Sequence, residues 1–254
     1  MLILLPPSEG KTAATKGEPF ELDHLSFPQL NAARKEVLQT LARVSSRDDA
    51  MHVLGVGASL VEDVRRNISL ETEPAAAAHK IYTGVLYDAL GYKSMTTAQK
   101  RKADAAVVVI SGLWGAIGFA DSVPAYRLSM GVSLPGTGKL STYWKKQLAG
   151  PLDDRAADEL VVDCRSSSYS AAWAPPAGQS VAVNVFQERD GRRTVVSHFA
   201  KHTRGELARH LLTRRGAAPS TPAKLLRAAR EKWHAELAEA KGRKPHQLNI
   251  VLPG

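Results

Sequence analysis

Ser8 and Lys11, in "PPSEGKTAA" directly after the apolar run "MLILL", put a hydroxyl and an ammonium three residues apart in a strand-end loop, a pairing suited to holding an anion. The stretch is not a triphosphate loop, because GxxxxGK[ST] requires glycine where Leu5 stands. "LPGTGKLST" at 134–142 fails the same pattern, with Ser133 in the first-glycine position and Leu140 after Lys139. In "PAYRLSMG", Arg127 lies between Tyr126 and Leu128 and in an extended segment points away from both, so it needs an anionic partner in the protein or in a ligand. Lys11 or Tyr126 is the candidate acid or base there, although no nucleophile-base pair is visible and catalytic roles stay unassigned. Lys201 and Arg204 in "HFAKHTRGELARHLLTRR" share a helix face at a strand-to-helix junction, where α/β sheets bind ligands.

A second place to bind an anion is "HVLGVGASLVEDVRR". Gly55 ends one helical pattern by supplying a positive φ, and Gly57 opens the next while allowing close approach of a ligand. The unpaired amides of 57–59 then face a phosphate, with Arg65 and Arg66 a turn or two behind, as in a helix-hairpin-helix at about 48–69. Gly55, Val56, Gly57, Arg65 and Arg66 are the expected contacts to a nucleic-acid backbone, and these contacts carry no base specificity. An ordinary turn between two packed helices reads equally well from the same residues.

The elements that must position these groups follow from the apolar pattern. "MLILL", "AAVVVIS", "ELVVDC", "SVAVNVF" and "RTVVSHF" predict strands, several too apolar to face water. Helical patterns cover 29–44, 48–69, 96–104, 139–149, 201–215 and 221–240. The last is expected to pack Leu225, Leu226, Ala229, Trp233 and Leu237, and His198 is expected in the strand before 201–215. Asp190-Gly191 suits a tight hairpin, which adds an antiparallel pair to an otherwise parallel arrangement. The fold expected is a mixed α/β (α+β) domain over 1–254, with a mixed sheet, surrounding helices and a basic C-terminal helical segment at about 201–246. Trp114, in the glycine-rich "SGLWGAIG", is expected to plug the core.

Composition limits the function. Net charge is +9, and residues 189–246 alone hold 15 Lys+Arg against 5 Asp+Glu. That asymmetry points to a polyanionic partner, nucleic acid ahead of lipid. The one cysteine, Cys164, excludes an internal disulfide and is expected to be buried. Eight scattered histidines and that cysteine supply no metal ligand set, and no cofactor is expected. No run approaches a membrane span, and a cytoplasmic location is expected.

The motifs "MLILLPPSEGKT", "IYTGVLYDAL", "SGLWGAIGFADSVPAYRLSMG", "TYWKKQL" and "SHFAKHTRGELAR" occur in the order and spacing of the YaaA family of peroxide stress proteins, also called DUF328 or UPF0246, which the chain resembles from residue 1 to about 215. The resemblance implies a cytoplasmic peroxide-response protein that limits iron-linked oxidative DNA damage, with a helix-hairpin-helix and a basic nucleic-acid cleft. It places Ser8, Lys11, Tyr82, Tyr126, Arg127, Lys201 and Arg204 in that cleft. The chain departs from the enterobacterial pattern at "PPSEGKT", which replaces a shorter proline-alanine-lysine-threonine loop, and at "CRSSSY". Two functions are expected in turn: sequence-nonspecific DNA binding, or an enzyme acting on a nucleotide, nucleobase or other small anionic metabolite in a strand-end pocket.

Overall fold

The first strand, β1 (Leu2–Leu5), has all four residues buried. Apolar on both faces, it can only lie in the middle of a sheet. The structure, a computed structural model, describes residues 1–189, 192–195 and 197–254, with the backbone alone at 195, 197 and 198. Beside β1 run β2 (Val107–Ser111) on one side and β4 (Val161–Asp163) on the other, both parallel to it, with β3 (Gly115–Gly118) antiparallel on the outer edge of β2. Beyond β4 comes the long β5 (Ser180–Arg189), then β8 (His246–Pro253) parallel to it and β7 (His234–Ala238) antiparallel at the far edge. β6 (Arg192–Val195) pairs antiparallel with β5 past the end of β4. The sheet order is therefore β7-β8-β5-β4-β1-β2-β3, mixed as expected. The Asp190-Gly191 turn lies outside the described residues.

Ten helices surround the sheet among the described residues: α1 (Asn31–Ser45), α2 (Ala50–Leu54), α3 (Val61–Arg66), α4 (Ala78–Ile81), α5 (Val85–Leu90), α6 (Thr97–Ala106), α7 (Leu140–Ala156), α8 (Ser167–Ser170), α9 (Ser197–Thr213) and α10 (Pro222–Arg230). α6 begins where Thr96 and Gln99 cap one another reciprocally. α10 begins at Pro222 behind the Thr221 cap. Trp114 is fully buried, as expected for a core plug.

Three expectations are corrected. The pattern at 48–69 does not form two long helices. Gly55, at φ 65°, ends α2 after five residues, and a 3-10 turn at Ala58–Leu60 leads into the six-residue α3. The chain then turns because Asn67 is fully buried and bonds to Ser45 and Arg127, so the helix-hairpin-helix is not confirmed. His198 lies in α9 rather than in a strand, since β6 stops at Val195. The 221–240 helix ends at Arg230, and Leu237 belongs to β7. No helix among the described residues is long and apolar enough to cross a membrane.

Candidate active site at the ends of the central strands

β1, β2 and β4 all finish at the same edge of the sheet, and the chain builds outward from β1 in both directions. That is the switch point where open α/β sheets leave a crevice for ligands. The loop after β1 crosses this edge and is zipped to the segment after α4. Lys11 bridges Tyr82, the Thr12 amide donates to the Ile81 carbonyl, and the Thr83 amide donates to Ser8 Oγ at 3.1 Å. Ser8 Oγ also donates to the Gly10 carbonyl, so this hydroxyl shapes the loop rather than waiting for an anion.

The pairing lays Lys11 Nζ over the Tyr126 ring, 4.4 Å from its centre, and 5.7 Å from the centre of Tyr82. Nζ donates to the Ser8 carbonyl at 2.7 Å. Residue Lys11 is half-buried, and its ammonium end is packed among these groups. Burial dominates and lowers its pKa from 10.5 to about 7; neighbouring Arg127 adds to the fall, and Glu9 and Asp63 oppose it. The consequence for stability has a definite sign. Between about 7 and 10.5 the unfolded chain holds a proton on Lys11 that the folded chain has lost, so this group makes stability rise as pH rises through that window. Thermal unfolding followed across that range should show the rise in the native protein and a flatter profile in Lys11→Met; identical profiles would mean the amine is solvated.

Tyr126 and Tyr82 are 3% and 1% exposed, and their hydroxyls lie 3.1 Å apart. Tyr126 is also 2.6 Å from Ser111 Oγ at the end of β2. Burial raises the pKa of both phenols, so they serve as neutral donors rather than bases. Tyr87 packs 5.5 Å from Tyr82 and donates to the Pro6 carbonyl at 2.7 Å. Tyr169, in α8 after β4, is raised to about 12 by burial first and by Glu9 second, which brings it to the same cluster. Arg127 has the partner its sequence context demanded: it donates to the Glu9 carbonyl at 2.8 Å and pairs with the Glu9 carboxylate at 3.2 Å. Asn67 fixes it from behind through reciprocal bonds to the Arg127 backbone at 2.9 and 2.8 Å.

The structure thus assembles Ser8, Lys11, Tyr82, Tyr126 and Arg127, and adds Glu9, Tyr87, Ser111 and Tyr169, which the sequence did not single out. All four sat within quoted stretches, but nothing in those stretches set them apart from their neighbours. The other candidates are not bonded to this group. Arg204 spends its guanidinium on the Val183 carbonyl at 3.1 and 2.8 Å, and Lys201 is exposed on α9. Among the described residues no hydrogen bond or ion pair joins either to Lys11 or Arg127. At the hairpin, the Gly55 and Val56 amides donate back to His52 and Met51, while Gly57 has an extended φ of −81°. Arg65 pairs with Glu62 at 2.8 Å, and Arg66 with Asp63 at 2.9 Å, so neither cation is left unmatched. Cys164 is fully buried, and its thiol is pushed up to about 12, too high for a nucleophilic thiolate. No group of three or more metal-ligating side chains occurs among the described residues.

Tyr82, Thr83 and Tyr87 also line a cavity of about 320 Å³, together with His79, Tyr92 and Phe119. His79 stacks on Tyr92 at 3.9 Å.

Known proteins match the sequence over nearly its whole length. The chain is 44% identical over 259 aligned positions to a UPF0246 protein of Streptomyces coelicolor, covering 99% of this chain and 98% of the relative. It is 40% identical to a UPF0246 protein of Corynebacterium efficiens, covering 84% and 85%, and 41% identical to one from Corynebacterium glutamicum, covering 83% and 84%. A family model described as "Peroxide stress protein YaaA" matches residues 1–238, and the chain belongs to that family.

Proposed function

We propose that this peroxide stress protein is an enzyme that binds a nucleotide or another small anionic metabolite at the ends of β1, β2 and β4, with Lys11 as the group that exchanges protons with it. One observation carries the reading: a lysine packed on two buried phenols at a sheet switch point, with its pKa lowered to about 7. A surface lysine in a DNA track has no reason to be desolvated, whereas an acid-base group works best near the ambient pH. Arg127, next to it, supplies the fixed positive charge.

Sequence-nonspecific DNA binding is the second reading, favoured by the basic excess of residues 189–246. It would use Gly55, Val56, Gly57, Arg65 and Arg66. Both arginines are ion-paired with acids of their own helix, as Arg127 is with Glu9, so pairing does not separate the two readings.

Calorimetric titration of the full chain with adenosine and guanosine monophosphates, inorganic phosphate and a short DNA duplex separates the two. Under the first reading the small anions bind, and Lys11→Met or Arg127→Gln weakens them by about tenfold or more, the loss expected for a desolvated charge-assisted contact. Under the second, only the duplex binds, its affinity falls with a log-log salt slope of about −0.9 per phosphate neutralised, and Lys11→Met changes little. Absence of small-anion binding defeats the first reading.

A further inference from the structure

Proton counting in the tyrosine cluster leaves one donor over. Ser111 Oγ accepts from the Leu113 amide at 3.1 Å and the Trp114 amide at 3.0 Å. A hydroxyl oxygen has two lone pairs, and both are now used. Ser111 must therefore donate its own proton to Tyr126 across their 2.6 Å contact. The Tyr126–Tyr82 bond consumes one of the two phenolic protons, whichever ring donates. The other phenolic proton has no acceptor among the described residues, although both rings are more than nine-tenths buried. A buried donor left unmatched costs about 1–3 kcal/mol, so such a group marks the place where a ligand supplies the acceptor. Lys11 Nζ is packed over the same Tyr126 ring.

Addition to a carbonyl requires an amine nucleophile and a neutral hydroxyl donor, and here the amine lies over the ring of one of the two paired phenols. We infer that the site takes a small aldehyde carrying a phosphate, which Lys11 captures as an imine while the spare phenolic proton of the Tyr82–Tyr126 pair goes to the carbonyl oxygen. The inference rests on the anion site proposed above and names its substrate class. In the first step the amine lone pair forms the C–N bond and the carbonyl π pair moves to oxygen, which takes the phenolic proton. The nitrogen then returns a proton to the phenolate. Loss of water breaks the C–O bond and leaves the imine, so one amine and one aldehyde give one imine and one water with no change of oxidation state. The lowered pKa of Lys11 keeps a large share of the amine neutral at pH 7, whereas an ordinary lysine is only about 0.04% neutral there.

The test is reductive trapping of the full chain with glyceraldehyde 3-phosphate and cyanoborohydride near neutral pH, with peptide mass mapping. Lys11 should be labelled at least tenfold faster than exposed Lys93 and Lys201, with a rate that rises to half its maximum near pH 7. Tyr82→Phe or Tyr126→Phe should slow that labelling about tenfold while leaving the surface lysines unchanged, and Lys11→Arg should remove it. Labelling of Lys11 no faster than of Lys201 overturns the imine. If inorganic phosphate still binds in a Lys11-dependent way, the anion site survives that failure; if it does not, both fall.

Discussion

Arg165→Met should cost the fold about 3–5 kcal/mol, the usual penalty for removing one partner of a buried ion pair. For a chain of this length that corresponds to a fall in Tm of roughly 10 °C, measurable by calorimetry. Arg165 is fully buried at its side chain, and its guanidinium grips both oxygens of Asp163 at 2.8 and 2.7 Å. It also donates to the carbonyls of Tyr169 at 3.2 Å and Trp173 at 2.8 Å. Methionine fills the space but leaves the Asp163 carboxylate with only the amide of residue 165, and the two carbonyls without their guanidinium donor. Because the same guanidinium shapes the turn that carries Tyr169 to the Lys11 cluster, small-anion binding should weaken along with stability. Adding Asp163→Leu to Arg165→Met should recover part of the lost stability, since exchanging a whole buried pair for apolar groups is often close to neutral. A single variant losing less than about 1 kcal/mol would show the pair to be solvated.

Gly205→Ala runs against a general rule. In a helix interior alanine is more favourable than glycine by about 1 kcal/mol. Gly205 in α9, however, faces α5 so closely that an added Cβ would stand 2.1 Å from the Leu86 carbonyl oxygen and 2.9 Å from the Ala89 Cβ. Neither atom is the free end of a flexible side chain, so the helices must separate. Overpacking of this kind costs about 1–3 kcal/mol or more, which outweighs the propensity gain. The expected net result is a loss of about 2 kcal/mol by urea unfolding, together with weakened ligand binding because α5 carries Tyr87. Gly150→Ala is the control. Gly150 lies in α7 with nothing but its chain neighbours within 4 Å of an added Cβ, so it escapes any clash between helices, while Pro151 directly after it holds the gain below the usual propensity difference. Equal effects at the two glycines would refute the packing argument.

The strands that build the site were readable before any coordinates. Leu2–Leu5, Val107–Ser111 and Val161–Asp163 fall on unbroken apolar runs, because a strand buried on both faces needs no polar alternation, and Ser180–Arg189 begins on the β-rich run "SVAVNVF". β7 was hidden. His234–Ala238 is rich in helix formers and follows a helical pattern without a break, yet it pairs residue for residue with β8, which itself pairs with β5 over eight positions. Strand formation there is decided by a partner, not by propensity. Tyr82 and Tyr126 entered the sequence reading as cleft residues, while Ser111, which sets the direction of their hydrogen bonds, did not. An isolated serine at a strand end looks the same whether or not two amides are aimed at its oxygen.

Charge was the least legible property. The basic excess of the C-terminal quarter is real in the sequence, but which cations remain available depends on neighbours the sequence does not order in space. Arg193 is paired with Glu188 and Glu236, and Arg214 with Glu231. By itself, then, the sequence determined the central strands, the strand-end loop with Ser8 and Lys11, and the motifs that mark the family. Only the tertiary structure decided that Lys11 lies on Tyr126, that one buried phenol has a proton to give, and that the Arg204 guanidinium is turned onto the Val183 carbonyl. The physical reason is range: burial patterns are written in neighbouring residues, whereas desolvation and hydrogen-bond direction depend on groups dozens of positions away that meet only when the sheet closes.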